Sequence, residues 1–379
     1  MKCIIVNFLE LNELPPALNL LNYIENSIFE GIYISLYKEV FIDKYKNVLF
    51  YHIYNDKEKF TGQNNISEKI KYKKCALKKR IAAKQIIKLI DKIYDENSVV
   101  WFLHESTALA LGVKIKKYDY YVTLYELDAA QYDKHNTLKK ICNSAKKVIV
   151  PEETRAHIVK AFLNLSEKPL VIHNKPYILS NDSKNTDSTS KIIEKINLWK
   201  KENKLIFIYA GIFMPERKLD NIITAFSLKT ENTKLLLMGR QSYYLDELMS
   251  KYNGKFEYIG FYEPPEHLDI IKHADVGILT YIPQNGSINA VFCAPNKIYE
   301  YGMYGLPVLG NDIPGLKNLI NYKKIGLCFD ESSVGDIKLK IDGIIKKYNF
   351  YSKNIVKYTS EIDIDLEIEN VLFDEREND

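Results

Sequence analysis

The chain has 379 residues, 46% hydrophobic and 27% charged, enough to fill the cores of about two ordinary domains. That balance excludes a disordered tail protein, a stapled miniprotein and a fibrous repeat. Fifty-three Lys and Arg against 49 Asp and Glu leave +4, too small a surplus to imply nucleic acid as a partner.

The five cysteines (Cys3, Cys75, Cys142, Cys293 and Cys328) are scattered and form no Cys-x-x-Cys pair. They read as reduced thiols of a cytoplasmic protein, without structural zinc. Before Asn7 the N-terminus offers an apolar run of four residues, too short for a signal peptide and suited to a buried strand. No apolar stretch reaches the length of a membrane span, so any membrane contact is expected to be peripheral.

In chain order, strands are expected at 3–6, 31–36, 48–53, 99–103, 120–124 and 147–150, with helices at 16–28, 67–94 and 136–145. Such alternation implies βαβ units and a mostly parallel sheet. Residues 180–190 are small and polar and read as a linker. After a helix at 191–201 the alternation restarts, with strands at 205–210, 234–238, 256–259, 276–280, 306–310 and 327–329. Helices are expected between them at 218–228, 243–252, 264–273, 295–304 and 334–348. The result is α/β: two doubly wound domains at 1–180 and 204–346, joined by a linker and helix at 181–203, with 347–379 beyond them.

Open α/β sheets bind ligands beyond the carboxyl ends of their strands. In the second half those ends are followed by Gly211 with Arg217 and Lys218, by Gly239-Arg240, by Gly260-Phe261-Tyr262, and by a loop from Tyr281 to Ala294. Glycine lets a backbone approach a ligand closely, and the cations suit a polyanion. Pro295 is placed to open a helix whose first turn offers N–H groups to a phosphate. Lys297 falls in that turn. Glu300 falls one turn deeper, where a carboxylate can accept vicinal ribose hydroxyls. At this level a solvated helix start stays open for Arg217 and Lys218, a surface pairing with a neighbouring lysine for Glu300, and plain turn roles for Gly239 and Gly260.

Several segments together resemble a known family. Gly211…Arg217-Lys218-Leu-Asp-Asn-Ile-Ile-Thr-Ala225-Phe226 is similar to the opening of the nucleotide-binding domain of GT-B glycosyltransferases. Leu235-Leu-Leu-Met-Gly239, Glu257-Tyr-Ile-Gly260 and His273-Ala-Asp275-Val-Gly-Ile-Leu resemble the strands that follow there. Ala294-Pro295-Asn-Lys297-Ile-Tyr-Glu300-Tyr-Gly-Met-Tyr-Gly305-Leu-Pro307-Val-Leu resembles the "P.K..EY…G.PV" segment of retaining, family-4-like bacterial enzymes. In the first half Leu14-Pro15-Pro16, Trp101-Phe-Leu-His104-Glu105 and Ala145-Lys-Lys-Val-Ile-Val-Pro151 are similar in the same order.

The resemblance implies the GT-B fold, with two Rossmann-like domains facing across a cleft and C-terminal helices at 347–379 crossing back to the first. It also implies sugar transfer from a UDP- or GDP-sugar donor to a glycan or lipid-linked acceptor with retained configuration, in bacterial surface polysaccharide synthesis. His104, Arg217, Lys218 and Glu300 would be catalytic. Gly211, Gly239, Arg240, Tyr262, Asn289, Pro295, Asn296 and Lys297 would hold the donor. His104 would reach the transferred sugar, although the residues alone favour a structural histidine. Fixed cations and helix amides would stabilise the leaving diphosphate, so no metal or other cofactor is expected. The common family motif has two glutamates with seven residues between them; here Glu300 matches the second and Phe292 stands in place of the first.

Residues 69–88 contain nine Lys or Arg interleaved with apolar residues. Such a helix suits an anionic lipid surface and also suits plain solvent. No Gly-x-Gly-x-x-Gly or P-loop follows a predicted strand, which sets a dehydrogenase aside. A nucleotide-sugar epimerase and a non-catalytic partner subunit of another glycosyltransferase remain as alternatives, the latter because of Phe292.

Overall fold

The structure is a computed structural model and describes residues 1–11, 14–39, 42–55, 65–128, 136–176, 187–228 and 232–373. It divides into two compact units, Met1–Tyr177 with Ile364–Asp379, and Ile178–Asp363.

Parallel strands covered on both faces need continuous apolar runs, and the first unit has seven of them. They are β1 (Lys2–Asn7), β2 (Glu30–Tyr37), β3 (Val48–Tyr54), β4 (Ser98–Leu103), β5 (Tyr120–Thr123), β6 (Lys147–Val150) and β7 (Leu170–Val171). All pair in parallel, in the order β3-β2-β1-β4-β5-β6-β7. The connections carry α1 (Pro15–Glu25), α2 (Asn65–Ile93), α3 (Glu105–Leu111), α4 (Thr137–Cys142) and α5 (Glu153–Leu163). Helices α3 and α5 are additions to the sequence expectation.

In the second unit α6 (Asp187–Lys201) leads into β8 (Leu205–Ala210), α7 (Asp220–Ser227), β9 (Thr233–Met238) and α8 (Tyr243–Lys251). Then come β10 (Glu257–Tyr258), α9 (Glu266–Ile271), β11 (Val276–Leu279), α10 (Ile288–Val291) and α11 (Lys297–Met303). β12 (Val308–Asn311), α12 (Pro314–Lys323), β13 (Gly326–Phe329), α13 (Val334–Lys346) and α14 (Tyr348–Ser360) complete it. The sheet is parallel, in the order β10-β9-β8-β11-β12-β13. Its core packs Phe207, Leu235, Leu237, Ile278, Leu309 and Phe329 against helices that include α7 and α13.

Two boundaries differ from expectation. Residues 180–186 of the expected linker lie outside the described residues, but α6 already begins at Asp187, and Thr189 is fully buried. The segment 347–379 does not cross over as a whole. α14 stays in the second unit, where Ser352 Oγ donates to Gly305 O at 2.7 Å and Tyr358 stacks on Tyr299. Only α15 (Ile364–Phe373) joins the first unit, burying Ile368 and Val371.

α11 is seated on the second sheet by Tyr301. Its hydroxyl donates to the carbonyls of Ile208 and Ile278, at 3.5 and 3.3 Å, and its ring fills the space above Gly277. A Cβ on Gly277 would stand 2.2 Å from a ring carbon, and the fully buried ring has nowhere to retreat. Gly277→Ala is therefore expected to destabilise the second unit by about 1–3 kcal/mol, seen as a lower thermal-unfolding midpoint.

Candidate functional site

The order of the second sheet reverses between β8 and β11, the position where open α/β sheets take ligands. The loops leaving these two strands are tied together. Ile282 N–H donates to Glu216 O at 2.8 Å, and Thr280 Oγ1 donates to Lys218 O at 3.4 Å. Arg217 closes a single 3₁₀ turn, Pro215–Arg217, and its guanidinium carbon lies 3.4 Å from the centre of the Tyr281 ring. One of its N–H groups reaches Thr280 O at 3.4 Å. Lys218 is exposed. Among the described residues neither cation is paired with a carboxylate.

Glu300 projects from the first turn of α11 and is only 6% exposed. Lys297 Nζ donates to both of its oxygens, at 2.8 and 2.6 Å, and His267 Nε2 donates to Oε2 at 3.0 Å. Burial alone would raise the Glu300 pKa, but the Lys297 charge and the His267 hydrogen bond outweigh it and hold the carboxyl at about 2. Glu300 is thus a buried, ionised acceptor with three of its roughly four lone-pair directions in use. The helix starts two residues later than expected: Pro295 and Asn296 form the turn before it, and Lys297 is the first helical residue.

The glycines after the strands meet each other. A Cβ on Gly239 would fall 1.9 Å from Gly211 O; Gly239 N–H donates to Gly260 O at 2.9 Å, and Gly260 has a φ of +91°. Contact between neighbouring loops therefore accounts for Gly239 without a ligand. Arg240 is exposed, lies 4.1 Å over the Phe261 ring and pairs with Glu263 at 2.8 Å. Tyr262 is half-buried, its pKa raised by burial. Asn289 lies in α10, a short helix capped by Ser287 Oγ and ended by Phe292. The backbone at Phe292 and Cys293 presses on Gly315, where a Cβ would come within 2.7 Å of Cys293 N.

In the first sheet the order reverses between β1 and β4, and His104 follows β4. It caps α3 with a φ of +73°, a left-handed backbone that a non-glycine residue holds at about 1–3 kcal/mol. Its Nδ1 accepts the Ser106 N–H at 3.1 Å, which leaves the ring proton on Nε2. Burial lowers its pKa to about 4, so the ring is neutral near pH 7. Beside it Glu105 is 3% exposed and accepts the Tyr125 N–H at 2.9 Å; burial pushes its carboxyl up to about 7.

Sequence reasoning passed over His267, Tyr281, Asn311 and Glu105. Tyr281 sat in view as the loop residue just after β11, whereas His267 carries no motif.

Among the described residues no group of three or more His, Cys, Asp and Glu is placed to hold a metal ion. No described helix is long and apolar enough to cross a membrane. Cys3, Cys142, Cys293 and Cys328 are buried.

Residues 190–361 match the family model described as Glycosyl transferases group 1. No curated protein sequence matches the chain. Among solved structures the chain is similar to HepE of Anabaena in complex with UDP, at 14% identity over 98% of each chain with a TM-score of 0.69. It is likewise similar to sucrose-phosphate synthase from Thermosynechococcus elongatus, at 12% identity over 98% of each chain and a TM-score of 0.68. A glycosyltransferase from Rickettsia africae aligns at 17% identity over 98% of this chain and 96% of that one, TM-score 0.68. The fold is that of the GT-B glycosyltransferases. Residues 190–361 of this chain are a glycosyl transferases group 1 domain.

The raised Glu105 carboxyl has a measurable consequence. The native state holds its proton up to about pH 7, while the unfolded chain releases it near pH 4.5. Stability is then lost as pH rises through that window, by about 3 kcal/mol in all. Glu105→Gln is expected to flatten the fall in unfolding midpoint between pH 5 and pH 8.

Proposed function

We propose that the chain transfers a hexose from a nucleoside-diphosphate donor, UDP in the first instance, to a glycan or lipid-linked acceptor with retention of configuration. The observation that carries this proposal is the pair of cations without carboxylate partners, Arg217 and Lys218, at the reversal of the second sheet. The UDP, UDP-and-glucose and UDP-glucose complexes of HepE support UDP as the donor nucleotide.

Negative charge grows on the leaving diphosphate as the glycosidic bond breaks. Arg217 and Lys218 sit ready to meet it without reorganisation. Glu300 takes the ribose hydroxyls: Oε1, which serves one donor, accepts the first, and a second displaces Lys297 toward the phosphates. Gly211, Arg240, Tyr262, Asn289, Pro295 and Asn296 complete the donor site. His104 offers a neutral Nε2–H to a sugar hydroxyl. In a front-face displacement the departing phosphate oxygen takes the acceptor proton, and side-chain cations do the work assigned elsewhere to a divalent metal. A role in surface polysaccharide synthesis follows the habit of the family, as does a cytoplasmic setting.

In excess EDTA, UDP at saturation is expected to raise the unfolding midpoint of the wild type by about 5 °C. Arg217→Ala and Glu300→Ala should each weaken UDP binding about 10- to 100-fold. A panel of UDP- and GDP-sugars in which nothing stabilises the wild type would remove the proposal. Tight binding with no transfer to any acceptor pool would favour the partner-subunit alternative.

The basic stretch offers peripheral contact with an anionic membrane. α2 buries Ala82, Ala83, Ile86 and Ile90 and exposes Lys79, Arg80, Lys84 and Lys88; Lys73 and Lys74 lie outside the described side chains. At about 1 kcal/mol per basic residue near a charged surface, reversing those four exposed charges is expected to abolish sedimentation with anionic liposomes at low salt. Equal sedimentation of wild type and variant would count against membrane contact.

A further inference from the structure

Arg217 is held by a shelf, and the shelf is held by a buried amide. β11 pairs with β12 as far as Leu279 opposite Gly310, and the ladder then ends. One step on, Asn311 continues it with its side chain. The Tyr281 N–H donates to Asn311 Oδ1 at 3.0 Å, and Asn311 Nδ2 donates to Tyr281 O at 2.8 Å. The Asn311 backbone belongs to the pairing with Phe329 on the other side, so its side chain is the element that fixes Tyr281. Asn311 is fully buried. Tyr281 in turn lies under the Arg217 guanidinium at 3.4 Å.

A stacked guanidinium keeps its N–H edge available for a second partner while its face is occupied. The long side chain then loses less freedom when an anion arrives. Resting on the function proposed above, we propose that Asn311 is a positioning residue: by pinning the main chain of Tyr281 it sets the aromatic shelf that presents Arg217 to the diphosphate. Asn311 touches no substrate itself, and a merely structural amide would affect stability without any coupling to Arg217.

The test is a double-mutant cycle on UDP affinity, measured by calorimetry with the full chain. Asn311→Ala and Tyr281→Leu are each expected to weaken UDP binding about tenfold, while Tyr281→Phe, which keeps the ring, binds as the wild type does. In an Arg217→Ala background Tyr281→Leu should cost nothing further. Tyr281 is half-exposed, so its variants remain informative even where Asn311→Ala fails to fold. Tyr281→Leu binding UDP as tightly as the wild type, or its loss adding in full to that of Arg217→Ala, overturns the positioning role alone. A wild type that binds neither UDP nor inorganic pyrophosphate overturns both this role and the function on which it rests.

Discussion

The Tyr301 ring occupies the space that any side chain on Gly277 would need, and the geometry at the carboxyl edge of the second sheet is referred to that contact. It sets the height of α11 above β11, and with it the place of Glu300, the residue immediately before the tyrosine. The other face of α11 is closed by α14, where Thr359 lies against Gly302 with no room for a Cβ. A seven-residue helix has little intrinsic stability in water. Tertiary contact on both sides compensates for that shortness and lets so brief an element carry a charged side chain into the interior.

Charge at this edge is divided in two. Lys297, Arg240 and Lys251 each lie on a carboxylate, and the Glu300 carboxylate is satisfied before any ligand arrives. Arg217 instead rests on an aromatic ring, which attracts a cation without neutralising it. Lys218 stands in solvent. The edge therefore contains one ion pair that keeps a buried carboxylate tolerable and, separately, a cationic face open to an anion.

Most of the strand pattern was legible because buried parallel strands advertise themselves as apolar runs. β8 occupies the expected residues because Lys204 and Gly211 bracket its run. β10 shrank to two residues because an edge strand pairs on one side only. The start of α11 was misplaced because Pro295 carries a helix-opening signal that the chain uses for the preceding turn. Of the site, the motif positions Arg217, Lys218 and Glu300 could be named, but their partners could not. His267 reaches Glu300 from α9, and Asn311 reaches Tyr281 across a strand gap; both are products of tertiary folding with no local pattern. The pairing of Glu300 with a neighbouring lysine was one of the open readings, but as a surface pair, whereas the carboxylate that Lys297 meets is buried.

The first unit is built from two stretches of chain separated by the whole of the second unit. α15 covers α1, sets Phe373 against Phe29 with ring centres 5.4 Å apart, and binds His173 through Glu367. During synthesis residues 1–177 must wait, their apolar flank bare, until residues 364–373 have left the ribosome. The intervening unit is contiguous and can be finished first, so a nascent chain stalled before Ile364 would offer chaperones a completed second body beside an unfinished first one.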